Sequence, residues 1–94
     1  MGMMMNKAQE TKARRAAVLS ILGGGWKGEK GIEGARDMYT FRRDGKSATI
    51  LPQRTVEGNF YVGAYDHKAK RYLVGRSDVR TIEEAATIAN ALVR

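Results

Sequence analysis

Asp44–Gly45 restricts the fold of this chain more than any other feature of the sequence. An Asp–Gly step suits the positive φ angles of a type I′ turn, the tight reversal that joins two antiparallel strands. The flanking residues agree with it. Residues 37–43 (DMYTFRR) and 46–51 (KSATIL) are both strand-prone. Setting Arg43 opposite Lys46 places Phe41 opposite Ala48 and Tyr39 opposite Ile50, so these four side chains share one face. The other face carries Arg42, Thr40, Ser47 and Thr49, with Met38 and Leu51 at its end. Pro52 has no N–H to give a ladder and ends the second strand.

Residues 53–58 (QRTVEG) lead to a second hairpin. From Phe60 to Tyr65, Phe60, Val62 and Ala64 alternate with Tyr61, Gly63 and Tyr65. After a turn through residues 66–70 the chain returns as Arg71–Gly75. Pairing Asp66 with Arg71 sets Tyr65 opposite Tyr72 and Ala64 opposite Leu73. The last element is an amphipathic helix. Thr81 is its N-cap and Glu84 completes a capping box. Ile82, Ala85, Ala86, Ala89, Leu92 and Val93 then recur at helical spacing.

The N-terminal third reads differently. Residues 1–5 form a start region expected to dangle. Residues 6–22 suit a helix, with Asn6 a candidate cap, but the apolar positions Val18, Leu19 and Leu22 make only a weak amphipath prone to fraying. Six glycines follow within residues 23–34 (GGGWKGEKGIEG), which reads as a flexible linker. Trp26 within it either docks on the domain or contacts a partner, and docking is the expected outcome. The expected fold is therefore α+β: an antiparallel sheet of about four strands in two hairpins, packed by a C-terminal amphipathic helix. Residues 1–34 are a basic helical tail and linker, and residues 35–94 a single ββββα domain.

Chemistry is constrained by what the chain lacks. It has no cysteine, which removes disulfides, thiolate nucleophiles and thiolate metal sites and fits a cytoplasmic location. One histidine, His67, makes no metal site by itself, and Ser20, Ser47 and Ser77 have no sequence neighbours that read as a triad. Gly23-x-Gly25-x-x-Gly28 spells a dinucleotide fingerprint, but that motif works only between a strand and a helix of a βαβ unit. Glu83 and Glu84 are accounted for by helix capping. No catalytic residue, metal or cofactor is expected. No apolar run approaches a membrane span, and residues 16–22 are a short apolar run before an unfavourable cleavage region, so neither membrane nor secretion is expected.

The net charge is +7 and the pI about 10.1, which favours polyanionic partners. Residues 36–76 carry nine basic side chains against four acidic ones, whereas residues 77–94 are slightly acidic. The charge thus lies on the tail and the sheet. If the last helix covers the face of Phe60, Val62, Ala64 and Leu73, the opposite face displays Tyr61, Tyr65 and Tyr72. Arg42, Lys68, Lys70 and Arg71 are expected to join them. Tyrosine rings stack on bases while lysine and arginine neutralise phosphates, so the expected partner is nucleic acid, DNA ahead of RNA, with the basic N-terminal segment adding phosphate affinity. The alternative is a protein-interaction module, an inhibitor or adaptor of phage or accessory type, using a sheet edge or the Trp26 segment.

Residues 58–89 add a resemblance. A Gly–x–aromatic strand (Gly58, Phe60) is followed by a basic turn into an aromatic strand ending in glycine (Lys70, Arg71, Tyr72, Leu73, Gly75). Thr81, Glu83, Glu84, Ala85 and Ala86 then open a helix. This pattern resembles the DNA-binding domain of plant ethylene-response factors and is similar to the arm-binding domain of phage integrases. The resemblance implies a three-stranded sheet in the DNA major groove, with Arg and Trp on its exposed face. This chain departs from it in holding Tyr on that face and in the added residues Ser77, Asp78 and Val79.

Overall fold

The computed structural model describes residues 6–32, 36–53 and 59–94. The elements are α1 (Lys7–Leu22), β1 (Lys27–Lys30), β2 (Asp37–Arg43), β3 (Lys46–Pro52), β4 (Phe60–Asp66), β5 (Arg71–Val79) and α2 (Ile82–Val93). The strands form one antiparallel sheet in the order β1-β2-β3-β4-β5. The fold is α+β, with one strand more than the sequence reading counted. The expected start region, Gly58 of the resemblance and most of the 53–58 connection lie outside the described residues.

The first hairpin has the anticipated register, with Arg43 opposite Lys46, Phe41 opposite Ala48 and Tyr39 opposite Ile50. Asp44 and Gly45 both have positive φ, 48° and 77°, as a type I′ turn demands. In the second hairpin, Asp66 faces Arg71 and Tyr65 faces Tyr72. Ala64, however, faces Val74 rather than Leu73, because a bulge inserts one residue between the two pairs. A second irregularity carries β5 on to Val79, which faces Phe60 and is fully buried. Ser77, Asp78 and Val79 are therefore strand, not connection.

Tyr39, Phe41, Ala48, Ile50, Val62 and Ala64 form the buried face of the sheet, covered by Ala85, Ala86, Ala89 and Val93 of α2. Four small or branched residues on the helix let it approach the sheet closely, and each fully buried Val or Ile contributes about 1.5–3 kcal/mol. Thr81 caps α2 by accepting the Glu84 N–H at 3.1 Å. The reciprocal two-bond capping box belongs instead to α1, between Asn6 and Gln9.

The N-terminal third is built into this core. Trp26 is 7 % exposed, its ring 5.5 Å from that of Phe41, and its Nε1–H donates to Asn90 Oδ1 at 2.9 Å. Asn90 in turn donates to the Leu22 carbonyl at 3.0 Å. Arg94 donates to the Gly24 carbonyl and lies 5.1 Å from the centre of the Phe41 ring. Two of the glycines, Gly25 and Gly28, have packing reasons. At Gly25, φ is +90° and an added Cβ would stand 2.6 Å from Phe41, while one at Gly28 would stand 3.1 Å from Tyr39. Residues 27–30 leave this turn as the edge strand β1. The linker expectation fails over residues 23–30 because the buried Trp26 and the pairing of residues 27–30 with β2 hold the segment on the domain.

Candidate functional site

Side chains alternate across a strand, so the register assigns every residue of the sheet to a face. Opposite the helix, one row runs Arg42–Ser47–Tyr65–Tyr72 across four strands. The next runs Lys27–Thr40–Thr49–Gly63–Gly75 across all five. No helix of the described residues covers these rows. Tyr72 is 74 % exposed, the most open large hydrophobic side chain among the described residues. Its ring meets Tyr65 edge-on at 4.9 Å, and Tyr65 meets His67 edge-on at 5.0 Å. These edge-to-face contacts orient the rings without using up their outer faces.

Glycine shapes the middle of the surface. A Cβ at Gly63 would stand 2.7 Å from the Tyr61 hydroxyl, and one at Gly75 would stand 3.7 Å from it. Tyr61 thus lies down over the two glycines instead of standing out. Beside it is a shallow depression of about 260 Å³, lined by Met38, Leu51, Thr49 and the tyrosines, with Ile32 at its margin. The face therefore offers flat aromatic surface, hydroxyls and a few cations.

The anticipated site residues divide. Arg42, Tyr61, Tyr65 and Tyr72 come together on the open face. Lys70 sits at the exposed end of the 67–70 turn with φ +55°. Lys68 and Arg71 go elsewhere. Lys68 lays its stem over Gly45 and lines a cleft with Arg43, Lys46, Val93 and Arg94 on the helix side. Arg71 pairs with Asp66, one step out of phase with the Tyr65–Tyr72 pair, and so points to the helix side as well. Strand alternation separates it from Tyr72; the expectation had grouped them by sequence proximity.

The turn that carries His67 is tightly held. Asp66 Oδ1 accepts the Lys68 and Ala69 N–H groups at 3.0 Å each, and the His67 N–H donates to the Gly45 carbonyl at 2.7 Å. The Ala69 and Lys68 N–H bonds hold the Asp66 carboxyl below the usual carboxylate range. One contact escaped the sequence reading: His67 Nε2 lies 3.0 Å from Ser47 Oγ. It follows from the pairing of Ser47 with Tyr65 across β3 and β4, since His67 lies two residues beyond Tyr65 on the same face. With Asp66 Oδ1 committed to the turn, this exposed Ser–His pair has no carboxylate hydrogen-bonded to its ring among the described residues. It supplies polar hydrogen-bonding capacity beside the tyrosines.

Among the described residues no group of three or more His, Cys, Asp or Glu side chains could hold a metal ion. No described helix is long and apolar enough to cross a membrane. No protein-family model, curated protein or solved structure matches this chain.

Proposed function

We propose that the chain is a non-enzymatic nucleic-acid-binding module that holds a single strand, DNA ahead of RNA, on the open face of its sheet. The observation that carries this reading is the row Arg42–Ser47–Tyr65–Tyr72, with Tyr72 largely in solvent. Bases stack on exposed tyrosines with a gain of about 1–3 kcal/mol each, and neighbouring cations neutralise the phosphates. Sheet width argues for a single strand over a duplex. Five strands set about 4.8 Å apart span roughly 19 Å, which exceeds a major groove about 12 Å wide. The preference for DNA rests on the resemblance of residues 58–89 to plant ethylene-response-factor and phage-integrase domains, whose three-stranded sheets are narrower.

The protein-interaction alternative has less to stand on. Trp26 is buried, which removes the linker as a docking segment. The β5 edge carries two register irregularities and an Arg76–Asp78 ion pair, features that discourage a partner strand from pairing along it. A fluorescence-anisotropy titration of labelled single-stranded DNA, single-stranded RNA and duplex tests the proposal. Single strands should bind best, with log K falling linearly as log salt rises. Absence of binding to all three at about 50 mM salt would overturn it.

A further inference from the structure

A second charged surface lies around the β1 edge. The N-terminal half of α1 stands over the β1–β2 end of the sheet, and a cleft of about 420 Å³ opens between them. Lys7, Arg14, Arg15, Lys30 and Arg36 line it, against Glu10 and Asp37. Five cations thus face two carboxylates, and one of those is fully engaged. Asp37 is 1 % exposed. It takes Arg14 through Nε at 2.7 Å and a terminal nitrogen at 3.2 Å, Arg15 through Nε at 3.0 Å, and the Tyr39 hydroxyl at 3.3 Å. Those four bonds fill the acceptor sites of a carboxylate.

Two guanidinium groups on one carboxylate leave a net positive charge and unused donors. Arg15 gives only Nε to Asp37, and among the described residues its terminal nitrogens have no hydrogen-bond partner. Asp37 also fixes both arginines in place, so little side-chain freedom remains to be lost when an anion arrives. The Thr11 hydroxyl lines the same cleft as a further donor. The Gly31 N–H donates to the Arg36 carbonyl at 3.2 Å, which links the backbone beside Lys30 to that of Arg36.

We infer that this cleft is a phosphate site that binds the backbone of the same strand whose bases lie on the tyrosine face. The inference rests on the proposed function and extends it to a path. Ile32 and Met38 stand at one margin of the open-face depression, and Lys30 and Arg36 stand two residues away, in the cleft. Two residues of chain span at most about 7 Å. A strand leaving the depression past Met38 therefore has the cations of the cleft within reach.

The test compares the full chain with a Lys7→Ala/Lys30→Ala/Arg36→Ala variant, whose three side chains make no bond to Asp37. Binding of single-stranded oligothymidylate is measured across a salt series. The slope of log K against log salt should shrink by about 0.7 for each lost phosphate contact, about 2 in all. Tyr72→Ala should weaken binding with the slope unchanged. An unchanged slope in the triple variant, with the parent still binding, overturns the cleft and leaves the tyrosine face standing. A parent that binds no strand overturns both. Titration with inorganic phosphate, followed by amide shifts, separates the remaining source. Shifts at Thr11, Arg15 and Arg36 together with a reduced oligonucleotide slope support the inference. The same shifts with an unchanged slope describe a free-anion site and overturn it.

Discussion

Asp37 ties α1 to the sheet through Arg14 and Arg15. Burial pushes its carboxyl upward, but the hydrogen bonds from Arg14 and Arg15 outweigh that, and the group ends below the usual carboxylate range. A folded-state value below the unfolded one stabilises the protein above the unfolded value, near 4, and loses that stability as pH falls through the folded value. Asp37→Asn removes the charge from these arginine hydrogen bonds and should cost about 2 kcal/mol near neutral pH in urea unfolding, and it should flatten the acid limb of the stability curve. The cost stays below the 3–5 kcal/mol of a fully buried pair because both arginines keep partial contact with water. Tyr39 supplies the opposite limb. Burial, then the charge of Asp37, raises its hydroxyl to about 12. Its contribution is complete below the unfolded value near 10 and is lost as pH rises through about 12. Tyr39→Phe should flatten that alkaline limb.

At the scale of elements, α1 and β1 owe their positions to the turn between them. α1 buries only Leu22 fully, with Val18 and Leu19 packed in part, so its own apolar stripe is too thin to dock it. The glycine turn does the rest by carrying Trp26 under α2 and pressing Gly25 against Phe41. Gly25→Ala combines an unfavourable positive φ with a contact of 2.6 Å to the ring. The expected loss is about 2 kcal/mol or more in chemical denaturation, with faster amide exchange concentrated in α1 and β1. Uniform protection across α1 in that variant would show the turn to be dispensable. The β4–β5 hairpin shows how an element can be right and its detail wrong. Its turn and its Tyr65–Tyr72 pair follow from alternation, whereas a bulge sets Val74 opposite Ala64 in Leu73's expected place, and a second irregularity sets Val79 opposite Phe60.

At the scale of the whole molecule, the helix layer decides which face of the sheet stays open. α2 covers one face of the sheet, α1 closes over its β1 end, and the tyrosine face is left open. Stability and binding should therefore separate. Tyr72→Ala removes an exposed side chain and should leave unfolding within about 0.5 kcal/mol of the parent. It should also weaken single-strand binding by about 1–3 kcal/mol, or roughly 5- to 150-fold. Equal binding by parent and variant would remove Tyr72 from the interface. Gly63→Ala is the complementary change, since its Cβ would displace Tyr61 and roughen the surface without altering its charge. Much of this face was legible beforehand: Tyr61, Tyr65, Tyr72 and Arg42 follow from alternation and one assumption about the helix. Lys68 was not, because a lysine stem in a turn goes where packing takes it, here over Gly45.

The amino-acid sequence by itself determined the Asp44–Gly45 turn, the register of its hairpin and the start of α2 at Thr81. Each depends on local physics: the sign of φ, a period of two, and a hydroxyl three residues from an N–H. Only the tertiary structure decided that, within the glycine-rich segment, Trp26 joins the core and residues 27–30 form an edge strand. The burial of Trp26 is set by Asn90, 64 residues away, and by Phe41 across the fold. The gathering of Arg14 and Arg15 on Asp37 was likewise invisible, since 23 and 22 residues separate the partners. Contacts of that range depend on how the whole chain packs, and no periodicity along the chain announces them.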